Sequence, residues 1–150
     1  MEDRVSARVA PVASPLTAPY WEGIRARRLR IQRCASCRRY VHFPRPECPS
    51  CGGAELSYEE VSGRGLVHTF SVVHRTFAPG FADRTPYVIA WIELVEQPDL
   101  RAFGNVLGCE PGELRIGMPV ELCFEELDGF GPLPAFRPFT DDSGHDNTLR

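Results

Sequence analysis

The chain has 150 residues, 43% of them hydrophobic and 25% charged, with a net charge of −3 at pH 7. This composition excludes a wholly disordered protein and predicts one domain, or one small domain with an appendage. The first 19 residues contain no apolar stretch long enough for a signal peptide, and no later segment approaches the ~18 apolar residues of a membrane span. The sequence therefore predicts a cytoplasmic protein that has no membrane partner.

The N-terminal residues 1–18 are predicted to be flexible, and a short helix is predicted to follow them. Thr17 is a candidate N-cap, and Pro19 is acceptable in the first turn. The helix is expected to run to about Arg28, with Tyr20 and Ile24 on one face because they are four residues apart. So short a helix needs another element to pack against.

Four cysteines form two CxxC pairs with ten residues between them: Cys34, Cys37, Cys48 and Cys51. Two such turns bring four thiolates to one tetrahedral metal ion, and they predict a structural zinc site with no open position. Gly52 supplies a positive φ after the second pair, whereas Arg38 stands after the first. Four buried cysteines, two disulfides or an iron site are the alternatives, and the reducing cytosol disfavours the disulfides.

Residues 19–54 are predicted to form the helix and a small zinc ribbon of the rubredoxin type. Leu29–Arg33 and Tyr40–Phe43 have the composition of short strands, and prolines follow the second of them. A ribbon of roughly 25 residues is too small to bury a useful core. Metal binding, which contributes ~10–16 kcal/mol in zinc-finger peptides, is expected to supply much of its folding energy.

Residues 55–139 are predicted to form a five-stranded OB-fold barrel, because five strand patterns alternate with turns and without a convincing helix. The fold class is thus mainly β, and the polar residues 140–150 are predicted to be a flexible tail. Tyr87–Leu94 is apolar on both faces, so the helix, the ribbon or another subunit is expected to cover its outer face. The predicted strands are Leu56–Val61, Leu66–His74, Tyr87–Val95, Leu100–Leu107 and Val120–Leu127.

The positive charge is concentrated in one part of the chain, although every basic residue is an arginine. Eight arginines and one glutamate lie between Tyr20 and Pro46, which gives this window +7 and the remainder −10. A basic surface on an acidic protein indicates an anionic partner: a nucleic acid, a nucleotide-bearing cofactor or an acidic protein. A solvated helix face is an equally good interpretation.

The sequence contains no convincing catalytic machinery. Cys109 and Cys123 lack a nucleophile motif, and a single cysteine in a strand usually behaves as a small hydrophobe. His68 and His74 are too far apart along one strand to bind one metal ion. The sequence therefore predicts a non-catalytic protein.

These features together resemble a family of bacterial and archaeal acyl-CoA-associated proteins, which join an N-terminal helix and a rubredoxin-like zinc ribbon to an OB-fold. The resemblance covers about residues 19–139, and it departs from the family at Arg38, where glycine is common. The matching pieces are Tyr20-Trp21, Cys34 and Cys37, Phe43-Pro44-Arg45, Cys48-Pro49, Cys51-Gly52, Ser62-Gly63-Arg64-Gly65, Pro86-Tyr87, Glu93-Leu94, Gly117-Met118-Pro119-Val120 and Phe136-Arg137-Pro138.

The resemblance implies an accessory subunit of a thiolase-like enzyme, an aldolase or a MaoC-like hydratase in lipid, steroid or polyketide-type acyl-CoA metabolism. It implies a hetero-oligomer that bridges or completes the enzyme and helps to guide the acyl-CoA. Bidentate arginine contacts suit CoA phosphates, and an aromatic loop suits the acyl chain or adenine. The candidate CoA or partner residues are Arg38, Arg45, Phe77, Phe81 and Arg84.

Two other functions belong to different classes of protein. Zinc ribbons and OB-folds both bind single-stranded nucleic acid, but the positive charge lies before the barrel rather than among its aromatic strands. A rubredoxin-like electron carrier would require iron at the four cysteines.

Overall fold

The computed structural model describes residues 7–140, which form one α-helix, two short 3-10 helices and eight strands. A three-stranded sheet of order β2-β1-β3 precedes a closed barrel of order β4-β5-β6-β8-β7. In the described residues no helix is long and apolar enough to cross a membrane. The elements are α1 (Ala18–Arg25), β1 (Leu29–Cys34), β2 (Tyr40–Val41), β3 (Leu56–Val61), β4 (Arg64–Val73), β5 (Tyr87–Leu94), β6 (Arg101–Val106), β7 (Pro119–Leu127) and β8 (Gly131–Pro138).

The mainly β fold with an N-terminal helix and a five-stranded barrel is confirmed, but α1 ends earlier than predicted. It stops at Arg25, and Arg27 has a φ of 58°, which is incompatible with continuing the helix. Thr17 occupies the N-cap position, yet its hydroxyl pairs with Ser14 instead of a helix N–H. The predicted strand Tyr40–Phe43 is likewise shortened to Tyr40–Val41.

The strand Leu56–Val61 belongs to the ribbon sheet, so its prediction as a barrel strand is wrong. It pairs with β1 along its whole length, from Leu29 opposite Val61 to Cys34 opposite Leu56. Cross-strand ion pairs favour this partner, because glutamates on β3 meet arginines that precede or lie on β1. These pairs are Arg28–Glu60 at 2.8 Å and Arg33–Glu59 at 3.0 Å.

The fifth barrel strand is instead β8, which the sequence analysis missed. Its three prolines, Pro132, Pro134 and Pro138, argue against a central strand because they donate no hydrogen bond. The barrel accommodates these prolines because only one of the two neighbours of β8 pairs with it along its whole length. It pairs with β7 along its length, whereas its parallel pairing with β6 is confined to Val106 opposite Phe136.

One hydrophobic core joins the helix, the ribbon sheet and the barrel. Ile24 of α1 and Ile31 of β1 are buried in the same cluster as Ile92 and Leu94 of β5. A second, small cluster surrounds the cysteines and contains Cys34, Cys48 and Val41. The ribbon sheet is therefore anchored by the main core, whereas the cysteine region has little apolar burial of its own.

Strand β5 has the two-faced pattern that the sequence predicts. Val88, Ala90, Ile92 and Leu94 are buried, and the alternate residues are half-buried on the outside. The ribbon provides part of the outer cover, since the Phe43 ring lies 6.0 Å from the Trp91 ring, centroid to centroid.

Candidate metal centre

The four cysteines lie within one small cluster at the end of the ribbon sheet. Their Sγ atoms all lie within 4.8 Å of one another, and the Cys34–Cys51 and Cys37–Cys48 pairs are each 3.6 Å apart. A tetrahedral metal with bonds of about 2.3 Å to sulfur requires S···S separations of about 3.8 Å. The residues present therefore fit a four-thiolate metal site.

The two CxxC turns are built alike, which explains why their sulfurs converge. The Arg38 N–H donates to Cys34 O, and the Gly52 N–H donates to Cys48 O at the equivalent place. Cys34 N–H and Cys48 N–H donate in turn to the carbonyls of Arg39 and Gly53. Gly52 has the expected positive φ of 75°, and Arg38 adopts a similar 63° despite its side chain.

Backbone N–H groups stabilise negative charge at three of the sulfurs. A hydrogen bond from the Cys37 backbone lowers the pKa of Cys34 to about 6, and one from the Cys51 backbone lowers the pKa of Cys48. Cys51 receives a similar bond from Gly53, but the adjacent sulfurs of Cys34 and Cys37 raise its pKa to about 11. A bound cation would remove this repulsion, as expected for a cluster built to hold metal.

The four-cysteine shell leaves no ligand position for a substrate or for an activated water. Structural zinc sites are closed in this way, whereas catalytic zinc keeps one position open. Burial raises the pKa of the other two thiols, Cys109 and Cys123, which disfavours the thiolate form at neutral pH.

Two glutamine side chains fasten the chain segments around the cluster. The buried Gln32 pairs with the Arg45 backbone: Nε2 donates to Arg45 O at 3.0 Å, and Oε1 accepts from Arg45 N–H at 2.7 Å. Gln97, in the loop after β5, makes the same two bonds with the Tyr40 backbone at 3.2 and 2.8 Å. Sequence analysis missed both residues, because no local pattern identifies a side-chain amide that pairs with the backbone N–H and C=O of a distant residue.

We expect Gln32→Leu to lower the free energy of unfolding by about 1–3 kcal/mol, because it removes both hydrogen bonds between this buried side chain and the Arg45 backbone. Urea denaturation of the metal-loaded protein measures this change. Gln97→Leu is the matched substitution at the second glutamine, which is half-buried, and we expect it to lower the free energy of unfolding by less. Equal stability of Gln32→Leu and the wild type would contradict the prediction.

His42 lies between the ribbon and the helix, and its ring is in a largely buried aromatic environment. Its centroid lies 5.6 Å from Tyr20 and 4.6 Å from Phe43, and its Nδ1 has no hydrogen-bond partner within the described residues. Burial lowers the pKa of His42 from 6.5 to about 4. The imidazole is therefore neutral in the folded protein at neutral pH.

This shift predicts acid sensitivity. Between pH 6.5 and about 4 the unfolded chain binds a proton that the folded chain does not, so the free energy of unfolding falls as pH falls. The slope from this group is at most about 1.4 kcal/mol per pH unit. We expect His42→Phe to lose that slope in urea denaturation between pH 7 and 5. Both proteins contain the same cysteines, so titration of the cysteines contributes equally to both. Parallel curves of unfolding free energy against pH would therefore contradict the prediction.

The arginine-rich segment, residues 20–46, has fewer unpaired arginines for an anionic partner than its sequence suggests. Ion pairs engage four of its eight arginines: Arg27 with Glu126, Arg28 with Glu60, and Arg33 and Arg38 with Glu59. The other four arginines have no carboxylate within 4.0 Å among residues 7–140. These are Arg25, Arg30, Arg39 and Arg45.

The five candidate CoA or partner residues lie in two different parts of the chain. Arg38 and Arg45 lie on the ribbon, where Arg38 contacts Glu59 at 3.1 Å and the Arg45 side chain is exposed. Phe77, Phe81 and Arg84 lie in the loop between β4 and β5, and Phe77 is fully exposed at its tip.

Phe81 and Arg84 line a cleft of about 290 Å³ beside the barrel. Tyr87, Asn105 and Cys109 also contribute to its wall. The Phe81 ring packs 5.2 Å from Tyr87, centroid to centroid, and the Arg84 guanidinium pairs with Glu125. These contacts fix the loop that forms one side of the cleft.

Arg8 is a further residue of this region that sequence analysis did not identify. Its guanidinium lies 5.0 Å above the Phe81 ring and 3.0 Å from Glu125, which also binds Arg84. The predicted flexible terminus thus contacts the barrel at its described residues, whereas residues 1–6 lie outside the description. The predicted tail at 140–150 is described only at Thr140.

Fold and cysteine geometry together define a zinc-ribbon-like module attached to an OB-like barrel. Two family models match the chain: "ChsH2, rubredoxin-like zinc ribbon domain" over residues 21–57 and "ChsH2, C-terminal OB-fold domain" over residues 58–125. A "DUF35 domain-containing scaffold protein" of Methanocaldococcus jannaschii is 42% identical over 71% of the chain and 75% of its own length. The chain belongs to this ChsH2/DUF35 family.

Other relatives carry the names of enzyme subunits. A "Probable enoyl-CoA hydratase alpha subunit" of Thermomonospora curvata is 40% identical over 87% of the chain. The "Benzoylsuccinyl-CoA thiolase subunit BbsA" of Thauera aromatica is 36% identical over 70% of the chain and 63% of its own length. The match covers 40% of the Thermomonospora protein and 36% of a Mycobacterium tuberculosis hydratase alpha subunit, so the chain spans well under half of each.

A solved structure supports the same relationship. A chain of the structure titled "Ltp2-ChsH2(DUF35) aldolase" superposes with a TM-score of 0.77 and is 40% identical, covering 86% of this chain and 98% of its own. A DUF35-family protein from Sulfolobus solfataricus has a TM-score of 0.60 at 15% identity, and this likeness shows the fold alone.

Proposed function

We propose that this chain is a non-catalytic, zinc-containing accessory subunit of an acyl-CoA enzyme. The observation that carries the proposal is the closed four-cysteine cluster, which can stabilise a surface but offers no position for chemistry. Relatives named as scaffold proteins and as hydratase or thiolase subunits support the accessory role. The partner is then a thiolase-like enzyme, an aldolase or a MaoC-like hydratase, and the assembly is a cytoplasmic hetero-oligomer.

Zinc is the metal that we assign to Cys34, Cys37, Cys48 and Cys51. When bound, it neutralises thiolate charge and ties the two CxxC turns together. Metal analysis of the purified protein tests this assignment. A coloured, iron-containing protein that undergoes reversible one-electron reduction would instead support the electron carrier.

We further propose that the cleft beside Phe81 and Arg84 binds part of an acyl-CoA. Its lining is largely apolar and includes one guanidinium, which suits a ligand with an apolar arm and anionic phosphates. Exposed Phe77 and Arg45 are available for contact with ligand or partner. Arg38 must first leave Glu59, and the Arg84 guanidinium must first leave Glu125. Lipid, steroid and polyketide-type acyl groups are the substrate classes that we propose.

Co-expression with the thiolase-like enzymes, aldolases and MaoC-like hydratases of the source organism tests the accessory role. We expect a stable complex with one of them on size-exclusion chromatography, and failure to associate with any of them would disprove the role. Calorimetry with acetyl-CoA and a long-chain acyl-CoA tests the cleft, comparing Arg84→Ala with the exposed Arg75→Ala as control. Stronger, salt-dependent binding to an oligonucleotide than to CoA would favour the nucleic-acid function.

A further inference from the structure

The outer surface of the barrel carries large apolar side chains on three neighbouring strands, and those of Trp91 and Phe103 lie side by side. Pairing aligns Thr69, Trp91 and Phe103 in one row and Leu66, Glu93 and Arg101 in the next. The ribbon adds Phe43, so that three rings are in contact, with centroids 6.0 Å apart for Phe43–Trp91 and 5.0 Å for Trp91–Phe103. We call Phe43, Leu66, Trp91 and Phe103 the apolar face.

Much of the apolar face is accessible to solvent. Phe43 is 54% exposed, and Leu66 and Phe103 are each 45% exposed. The opposite side of β5 already fills the barrel core, so these side chains are not needed for its interior. A contiguous apolar patch of this kind on a folded protein marks an interaction surface.

The apolar face is held in a fixed arrangement before any partner binds. Phe43 belongs to the ribbon and Trp91 to the barrel, and the Gln97 side chain connects these two parts through the Tyr40 backbone. Gln32 holds the loop that carries Phe43, because it binds the Arg45 backbone two residues further on. Such preorganisation reduces the entropy lost on binding.

Charge discriminates between the possible occupants. The outer faces of the second and third barrel strands are where OB-folds bind oligonucleotides, but such sites combine aromatic rings with free cations. Here Arg101 pairs with Asp99 at 3.1 Å, and Glu93 adds negative charge in the same row. Arg45 lies two residues after Phe43, is exposed and has no carboxylate within 4.0 Å among residues 7–140, which suits an acidic side chain of a protein partner.

We propose that the apolar face is the docking surface for the catalytic subunit. The matching surface of that subunit is then an apolar patch bordered by carboxylates. This inference rests on the proposed function. The structure titled "Ltp2-ChsH2(DUF35) aldolase", which names two proteins together, supports a protein occupant. Phe103 and Phe43 are the central anchors, Trp91 is the platform beneath them, and Arg45 makes the polar contact.

The test measures the affinity of the whole 150-residue chain for the thiolase-like enzymes, aldolases and MaoC-like hydratases of its source organism. We expect Phe103→Ser to weaken binding at least about tenfold, as at an interface hot spot, and Arg45→Glu to slow association in a salt-dependent manner. Ile116→Ser is the matched control, because Ile116 is 70% exposed but lies outside the apolar face. Unchanged metal content and thermal stability of each variant show that it is folded.

The outcomes separate this inference from the proposed function. If the wild-type chain does not bind, the proposed function fails. If it binds and Phe103→Ser binds equally well, only the docking surface is wrong. Sedimentation of the chain alone tests a second copy as occupant: a dimer that Phe103→Ser dissociates would overturn the proposal. Trp21→Phe leaves Trp91 as the one tryptophan, and quenching of its fluorescence by oligothymidine would also overturn it.

Discussion

Replacing Cys34 with serine is expected to abolish stable metal binding and unfold the chain around the two CxxC turns, while the barrel remains folded. Cys34 is completely buried, and its cluster contains little apolar surface apart from Val41 and Leu56. The metal contributes ~10–16 kcal/mol in zinc-finger peptides, far more than these few side chains supply. The barrel has its own core and is expected to keep its thermal transition.

Trypsin provides a direct measurement, because Arg38 and Arg39 lie in the segment expected to unfold and neither is followed by proline. We expect cleavage after these arginines in Cys34→Ser, and the same cleavage when a chelator treats the wild type. Cys123→Ser is the control, since Cys123 is a half-buried cysteine on β7 outside the cluster. Full metal content and trypsin resistance in Cys34→Ser would show that the cysteines are not the main support of this region.

Gly65→Ala is expected to destabilise the barrel itself by about 3 kcal/mol or more, because overpacking against backbone cannot be relieved by a rotamer change. A Cβ atom at Gly65 would lie 2.4 Å from the Glu93 carbonyl oxygen and 2.7 Å from Ile92 Cγ2. Both atoms belong to β5, which pairs with β4 at this point. The substitution therefore forces apart two strands of a closed barrel.

Gly112→Ala is the matched control, because a Cβ atom there meets nothing within 4 Å among residues 7–140 beyond its chain neighbours. Thermal and urea denaturation, followed by far-ultraviolet circular dichroism, measure both variants. We expect a wild-type transition for Gly112→Ala and a markedly lower one for Gly65→Ala. Similar transitions for the two would mean that the β4–β5 contact is looser than the structure shows.

The features that sequence analysis predicted best depend on local spacing. A CxxC pair specifies its own turn, so two pairs were enough to place four sulfurs together before any pairing was known. The two-faced pattern of β5 is equally local, and it indicated an outer cover that the ribbon in part supplies through Phe43.

The features that it missed depend on contacts between distant residues. The strand pattern of Leu56–Val61 would be the same in the ribbon sheet and in the barrel. Its observed pairing with β1 places it in the ribbon sheet. The prolines of β8 argue against a strand when only the sequence is considered. The barrel accommodates them because β8 pairs with β6 at one position alone, which the sequence does not reveal. The glutamine clamps at Gln32 and Gln97 join residues 13 and 57 positions apart, which no local pattern reveals.

The placement of β3 determines how the molecule can be divided. A fragment that stops at residue 54 would expose the backbone groups of β1 along the edge that β3 normally covers, and open strand edges promote aggregation. A cut after Ser62 would keep this pair intact but would expose Ile31 and Val61, which the barrel side of the core helps to bury. The two segments matched by separate family models are therefore expected to be stable only when they are expressed together.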